Sequence, residues 1–156
     1  MPDKVHKPVE PASPMPEFDK APVLRVRAMP ADTNPAGDVF GGWVLSQMDA
    51  SGAMTAARRS QGRVVTIGIE AMKFHKPVLV GDELNCYCRV VKVGRTSITV
   101  DIDTWVRRYL TDEPHHVTEG IFTYVAIDQT RRPRLSSTWG WTRDDEHEDW
   151  ALTLPG

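Results

Sequence analysis

Residues Val39–Arg59 read VFGGWVLSQMDASGAMTAARR and predict one long helix that begins at a glycine turn. Apolar and small side chains recur along it at three- and four-residue intervals, which is the spacing of a single helix face. Asp49 interrupts this stripe, and a carboxylate among leucine, glycine and alanine costs free energy to bury without a partner. Asp49 is therefore either a solvated or loop-capping group or a functional carboxylate. The members of the stripe are Val44, Leu45, Met48, Gly52, Ala53, Ala56 and Ala57.

The loop before the helix, residues 29–42 with the sequence MPADTNPAGDVFGG, favours a functional role for Asp49. Gly41 and Gly42 lead directly into the helix, where the first N–H groups lack internal acceptors and the helix dipole is positive. Such a helix start can bind a negative oxygen about two turns from Asp49. An oxyanion donor beside a carboxylate is what acyl transfer requires. An ordinary, well-capped loop is the alternative on these residues alone.

The composition is ordinary for a globular domain, with 40% hydrophobic and 26% charged residues among 156. The net charge is -2 and no long basic run occurs, which argues against nucleic acid as a partner. No apolar run reaches the length of a membrane span. The first 18 residues lack the apolar middle of a signal peptide. We therefore expect a cytoplasmic protein without a membrane partner.

The two cysteines, Cys86 and Cys88, lie two residues apart in a predicted strand. Their side chains then share one face, where a disulfide between them would be strained, so we expect two reduced, buried thiols. A metal site would need more ligands, and no histidine cluster accompanies the cysteines. His75, His115 and His116 are expected at the surface. We predict neither a metal nor a cofactor.

The apolar period changes to two after the helix, which predicts four strands near residues 64–74, 83–93, 96–109 and 116–128. A short strand at 23–28 precedes the helix. Short connections favour an antiparallel sheet covered by the one helix, which is an α+β fold. The apolar faces predicted for the first and last of the four long strands are Val65, Ile67, Ile69 and Ala71, and Val117, Ile121, Thr123, Val125 and Ile127.

Three regions are expected along the chain. Residues 1–21 form a proline-rich tail, residues 22–130 the folded domain, and residues 131–156 a tail rich in tryptophan and acidic residues. The tryptophans predict that this second tail docks on the body or on a neighbouring subunit.

Three segments resemble the YciA-type bacterial acyl-CoA thioesterases of the hotdog fold. They are MPADTNPAGDVFGGWVLSQMD at 29–49, GRVVTIGIEAMKFHKPVLVGD at 62–82 and KVGRTSI at 92–98. The similarity runs through most of residues 23–134. It implies a long central helix wrapped by a curved antiparallel sheet of about five strands. It also implies a homodimer joined edge to edge, a trimer of dimers, and active sites between the two chains of a dimer.

The resemblance also implies roles for individual residues. Asp49 corresponds to the catalytic carboxylate, and Gly41 and Gly42 supply a backbone N–H to the thioester carbonyl. Asn34 lines the same site from the opposite chain. Phe40 stands where some related hotdog enzymes have a histidine. The residues placed near the phosphates and pantetheine arm of CoA are Lys76, Pro77, Gly94, Arg95, Thr96 and Ser97.

These observations predict hydrolysis of acyl-CoA to a free carboxylic acid and CoA. Asp49 would act as a general base on water, or would attack the carbonyl itself, and the sequence leaves both open. One alternative is a hotdog acyl-thioester hydratase or dehydratase, whose chemistry usually pairs a histidine with a carboxylate. Another is a non-catalytic acyl-CoA binding or scaffold protein. Hydrolysis is preferred because Asp49 is present and no histidine accompanies it.

Overall fold

The computed structural model describes residues 21–136 completely, and beyond them only the backbone of residues 141–144 and 149–152. The predicted N-terminal tail and the tryptophan side chains of the C-terminal tail lie outside these described residues. No helix among the described residues is long and apolar enough to cross a membrane.

One long helix and five strands make up the body. The strand β1 is Leu24–Arg27 and the helix α1 is Gly41–Ser60, with a single 3₁₀ turn, Pro30–Asp32, between them. Two further short strands, β6 and β7, pair with each other after the body. The remaining strands are β2 Val64–Phe74, β3 Glu83–Val93, β4 Ser97–Arg107, β5 Pro114–Ala126, β6 Trp141–Asp144 and β7 Asp149–Leu152.

The main sheet has the order β1-β3-β4-β5-β2, and each neighbouring pair is antiparallel. The helix packs against strands β2 to β5. This arrangement confirms the predicted α+β fold of one long helix on an antiparallel sheet of about five strands. It also leaves β2, the strand that follows the helix, at one edge of the sheet.

The helix ends at Ser60, one residue beyond the stretch that predicts it. Gln61 adopts the left-handed conformation (φ 54°) and its N–H bonds back to Ala57 O, which is a common way for a helix to terminate. Arg134 then clamps the helix end, because its guanidinium donates to Ser60 O at 2.8 Å and to Arg63 O at 3.3 Å. The clamp needs Gly62, since a Cβ there would lie 2.5 Å from Arg134 Nη2.

The apolar face predicted for β2 is wrong. Ile67 is 60% exposed and Ile69 is 39% exposed, and Val64 and Met72 pack on the core instead. Two register shifts, between Thr66 and Gly68 and between Glu70 and Lys73, break the strict alternation of the strand. Val65 is half-buried and Ala71 is exposed.

The face predicted for β5 is also largely wrong. Phe122, Tyr124 and Ala126 are the buried residues, whereas the three predicted residues at 121, 123 and 125 are only half-buried. A register shift against β4 next to Val117 moves the inward face by one residue. Of the predicted face, Val117 and Ile127 are buried.

Both cysteines are free, as predicted, with Cys86 buried and Cys88 half-buried. They belong to or pack against the core under the helix. Burial raises the pKa of both thiols, that of Cys88 to about 12.

Candidate active site

The carboxylate of Asp49 is held by two hydroxyl groups from neighbouring strands. Thr66 Oγ1 donates to Asp49 Oδ1 at 2.7 Å, and Tyr124 OH lies 3.0 Å from the same oxygen and 3.1 Å from the backbone O of Asp49. Thr66 and Tyr124 are register partners on β2 and β5, so both side chains reach the helix at one level. Within residues 21–136 no hydrogen bond reaches the second oxygen, Oδ2. One carboxylate oxygen is thus held by two strands, whereas the other is available to a ligand.

Tyr124 is fully buried, and the helix makes room for it at Gly52. A Cβ at Gly52 would lie 2.2 Å from Tyr124 OH and 2.6 Å from Ile102 Cδ1. Burial raises the pKa of Tyr124, and the Asp49 carboxylate raises it further. The phenol therefore keeps its proton and can donate it to Asp49 throughout the neutral range.

The start of the helix has open backbone donors. Phe40 O accepts from Trp43 N at 3.1 Å and from Val44 N at 3.3 Å, which are the first bonds of the helix. No side chain caps the N-terminus. In the described part of the chain the N–H groups of Gly41 and Gly42 have no recorded acceptor. They can donate to an external oxygen at the positive end of the helix dipole.

A groove of about 330 Å³ opens beside this helix start. Gly41, Lys76 and Pro77 all line it, so the structure brings three of the predicted site residues together. The ring of Phe74 forms one wall, 3.5 Å from where a Cβ of Gly41 would lie, and is 48% exposed. Asp49 does not line this groove.

Asn34 is engaged in its own loop. Its Oδ1 accepts from Ala36 N at 2.9 Å and from Asp38 N at 3.1 Å, and its backbone N–H donates to Asp38 O at 2.7 Å. No hydrogen bond joins Asn34 to Asp49 or to the helix start among the described residues. The amide N–H₂ of Asn34 has no recorded acceptor there and can serve a ligand or a second chain.

The predicted CoA-binding hairpin lies at the other end of the sheet from the groove. Ser97 on β4 pairs with Val125 on β5, close to where β2 begins. Phe74, the last residue of β2 and two residues before Lys76, pairs with Thr118 on β5. Val125 and Thr118 are seven residues apart on β5, so at about 3.3 Å per strand residue roughly 23 Å of sheet separates the two pairs. One chain therefore does not bring the hairpin and the groove together.

The hairpin itself is well supported. Gly94 N donates to Ser97 O at 2.8 Å, and a Cβ at Gly94 would meet Ser97 Oγ at 2.4 Å. Ser136 fixes the turn from outside, through its N–H to Arg95 O at 2.9 Å and its hydroxyl to Gly94 O at 2.5 Å. Thr96 O accepts from Ala126 N at 2.8 Å, and the Arg95 side chain is exposed.

Tyr124 and Thr66, the hydrogen-bond partners of Asp49, were not singled out by the sequence analysis. Both lie on strands for which the predicted core-facing positions were shifted by one residue. The sequence carries no direct signal for this pair, because the register shift beside Val117 decides which face of β5 points inward.

Comparisons with known proteins show the family of the chain. Residues 36–108 match the family model described as the thioesterase superfamily. Over 115 residues the chain is 50% identical to the acyl-CoA thioester hydrolase YciA of Salmonella typhimurium, covering 72% of this chain and 86% of that protein.

Among solved structures, the chain is likewise similar to thioesterases. A hexameric thioesterase from Yersinia pestis is 50% identical, with a TM-score of 0.71, over 75% of this chain and 95% of that one. A hexameric hotdog fold thioesterase of Campylobacter jejuni is 41% identical, with a TM-score of 0.72, over 74% of this chain and 90% of that one.

The long helix on its five-stranded antiparallel sheet, together with these matches, defines a thioesterase of the hotdog fold. Within that class, the chain belongs to the YciA-type acyl-CoA thioester hydrolases.

Proposed function

We propose that the protein hydrolyses acyl-CoA to a free carboxylic acid and CoA, with Asp49 as the catalytic carboxylate. The observation that carries this proposal is the asymmetric setting of Asp49. Two hydroxyl groups hold Oδ1, and Oδ2 has no recorded partner among residues 21–136. A carboxylate held in this way can take a proton from water, or attack the thioester carbon, with little reorganisation.

The N–H groups of Gly41 and Gly42 are the proposed donors to the thioester oxygen. Negative charge develops on that oxygen as the tetrahedral intermediate forms, and a helix N-terminus stabilises negative charge. The groove that Gly41 lines would receive one end of the substrate beside Lys76 and Pro77. The hairpin of residues 94–97, with the exposed cation of Arg95, would meet phosphate groups of CoA.

Two chains are proposed to complete each site. Gly42 and Asp49 are seven residues apart, hence about 10 Å apart along the helix axis. Direct attack by Asp49 on a carbonyl held by Gly42 of the same chain needs a contact of about 3 Å, so water or a second chain must close the gap. Asn34 of the second chain is the proposed contributor, through its amide N–H₂ group.

The edge strand β2 is the proposed seam of a homodimer. Among the described strands it pairs on one side only, with β5, and it exposes Ile67 and Ile69. An exposed strand edge with apolar side chains favours pairing with another chain. Because similar thioesterases are hexameric, we propose a trimer of such dimers. The cytoplasmic location expected from the sequence is part of the same proposal.

The test is thiol release from acyl-CoA esters of graded chain length, with Asp49→Asn beside the parent protein. We expect release by the parent and a kcat lower by roughly 10²–10⁴-fold in the variant, as for loss of a general base. KM should change little, because the carboxylate acts in the transition state. Asp101→Asn is the matched control, since Asp101 pairs with the exposed Arg89 on the opposite face of the sheet.

Three outcomes would overturn the proposal. Equal kcat in Asp49→Asn and the parent would remove Asp49 from the chemistry. No thiol release at any chain length, with CoA esters still bound, would indicate a binding or scaffold protein. Addition or loss of water on the acyl chain without thiol release would indicate a hydratase or dehydratase.

A further inference from the structure

A second cluster of ionisable side chains lies where strand β2 ends, away from Asp49. It comprises His75, just after β2, and His116 and Glu119 of β5. One possible metal-ligand atom from each of the three residues lies within 4.8 Å of those of the other two. His75 Nε2 is 2.8 Å from Glu119 Oε2, and His116 Nε2 is 3.3 Å from the same oxygen. Residues separated by more than 40 positions in sequence thus converge on one point.

The cluster is supported by its neighbours. The two imidazole rings stack with centroids 5.0 Å apart and planes 24° apart. Trp105 packs on His116 at 4.9 Å, and its indole N–H donates to Asp103 Oδ2 at 3.1 Å. Asp103 Oδ1 lies 2.7 Å from His116 Nε2, and a metal ion bound to that nitrogen would replace this hydrogen bond. Only 12% of the His116 side chain and 21% of the Glu119 side chain are exposed.

We propose that His75, His116 and Glu119 bind a divalent transition-metal ion, with Zn²⁺ as the best fit. Zn²⁺ takes nitrogen and carboxylate ligands at about 2.0–2.2 Å, which places tetrahedral ligand atoms about 3.3 Å apart. The His116–Glu119 separation already has this value, and the His75–Glu119 pair needs to open by only about 0.5 Å. Two imidazole ligands favour zinc over Mg²⁺ or Ca²⁺, which prefer oxygen ligands.

The charges also fit a divalent cation. Glu119 and Asp103 carry two negative charges in a half-buried setting, and the histidines bind a metal in their neutral form. Bound Zn²⁺ would balance both carboxylates. A water in the fourth position would donate a hydrogen bond to Asp103, which Trp105 holds in place.

The ion would fix one wall of the groove beside the helix start. His75 lines that groove together with Phe74 and Lys76. A metal bond from His75 to β5 would tie the end of the edge strand to its neighbour. The site goes beyond thioester hydrolysis, because neither the carboxylate of Asp49 nor the glycine turn takes part in it.

The experiment is a Zn²⁺ titration by calorimetry on the full chain, made without a histidine tag and freed of metal by chelation. We expect one ion per chain and a raised Tm on addition of Zn²⁺. His116→Gln and Glu119→Gln should each weaken binding by at least about tenfold and abolish the rise in Tm. Co²⁺ should give visible absorption bands in the parent that both variants lose.

His115→Gln is the matched control, because His115 adjoins His116 in sequence but contacts Lys76 and Glu113 instead. It should bind Zn²⁺ as the parent does, and Mg²⁺ should bind neither protein. Circular dichroism of the metal-free proteins checks folding, and His75→Gln replaces any variant that does not fold. Absence of Zn²⁺ binding, or equal affinity in the parent and the folded cluster variants, would overturn the proposal. No substrate is present, so this result is independent of the proposed hydrolysis.

Discussion

The hydrogen bonding of Asp49 depends on the missing side chain of Gly52 and on the neutral phenol of Tyr124. Tyr124 reaches the carboxylate only because Gly52 has no side chain, and burial raises the pKa of Tyr124 so that it donates rather than repels. Asp49 therefore takes its side-chain hydrogen bonds from the sheet and not from its own helix. Its cost of burial is offset by hydrogen bonds from two strands.

The two cysteines give a prediction at the same scale. Because burial raises the pKa of Cys88 to about 12 and also raises that of Cys86, neither thiol ionises near neutral pH. A colorimetric disulfide reagent at pH 8 should find no fast-reacting thiol in the native protein and two in denaturant, since the chain has 2 cysteines. Two fast-reacting thiols in the native protein would contradict this expectation.

The same shifts fix the sign of a pH dependence. An unfolded cysteine loses its proton near pH 8.5, whereas folded Cys88 keeps it to about pH 12. The free energy of unfolding therefore keeps this contribution below about pH 8.5 and loses it as the pH rises towards 12. Cys88→Ala should show a shallower loss of stability over that interval in urea titrations.

The packing of α1 on the sheet depends on a glycine in its middle. Gly52→Ala would place a Cβ 2.2 Å from Tyr124 OH, so the tyrosine must move. We expect a loss of about 1–3 kcal/mol from overpacking, against a gain of about 1 kcal/mol in helix propensity. Thermal unfolding measures the balance, and kcat should fall because Asp49 loses its phenol donor.

Gly42→Ala is the control for stability at the same scale. A Cβ at Gly42 meets nothing within 4 Å, so the propensity gain should raise Tm slightly or leave it unchanged. Equal unfolding temperatures for Gly52→Ala and Gly42→Ala would contradict the close packing of Tyr124 against the helix.

Sequence patterns predicted the elements better than their faces. The bounds of β2 and β3 and the end of α1 match the predicted ones to within one residue, because period changes and turn residues mark them directly. The core-facing residues of β2 and β5 were predicted wrongly, because one extra residue at a bulge turns every later side chain to the opposite face of the sheet. Asp49 could be singled out from its helix stripe, whereas Tyr124 and the His75–His116 pair depend on register and could not.

At the scale of the whole molecule, one chain holds the parts of the proposed site at separate places. Gly41 lines a groove at one end of the sheet, Asp49 lies about two turns along the helix, and the hairpin at 94–97 is at the far end. A two-fold dimer joined along β2 would set one end of each chain beside the other end of its partner. The separation within one chain is then a reason for assembly.

Mixing two inactive variants tests the shared site. Asn34→Asp keeps the Oδ1 that closes its own loop and removes the amide N–H₂. Asp49→Asn removes the carboxylate. If Asn34 and Asp49 act from opposite chains, refolding the two variants together should restore about a quarter of the parent's activity, since half the dimers are mixed and each has one intact site.

Each variant refolded alone is the control and should stay inactive. A mixture no more active than its components, with mixed dimers shown by mass measurement, would place Asn34 and Asp49 in the same chain or Asn34 outside the site.

The clamp formed by Arg134 bears on how the chain can be shortened for crystallisation or fusion. Arg134 and Ser136 lie beyond the domain end predicted at residue 130, yet they hold the last helical turn and the 94–97 hairpin. A truncation after residue 130 would strip both of those supports from an otherwise intact body. Expression trials should therefore place the stop codon, or a joined reporter, after Ser136 and not after residue 130.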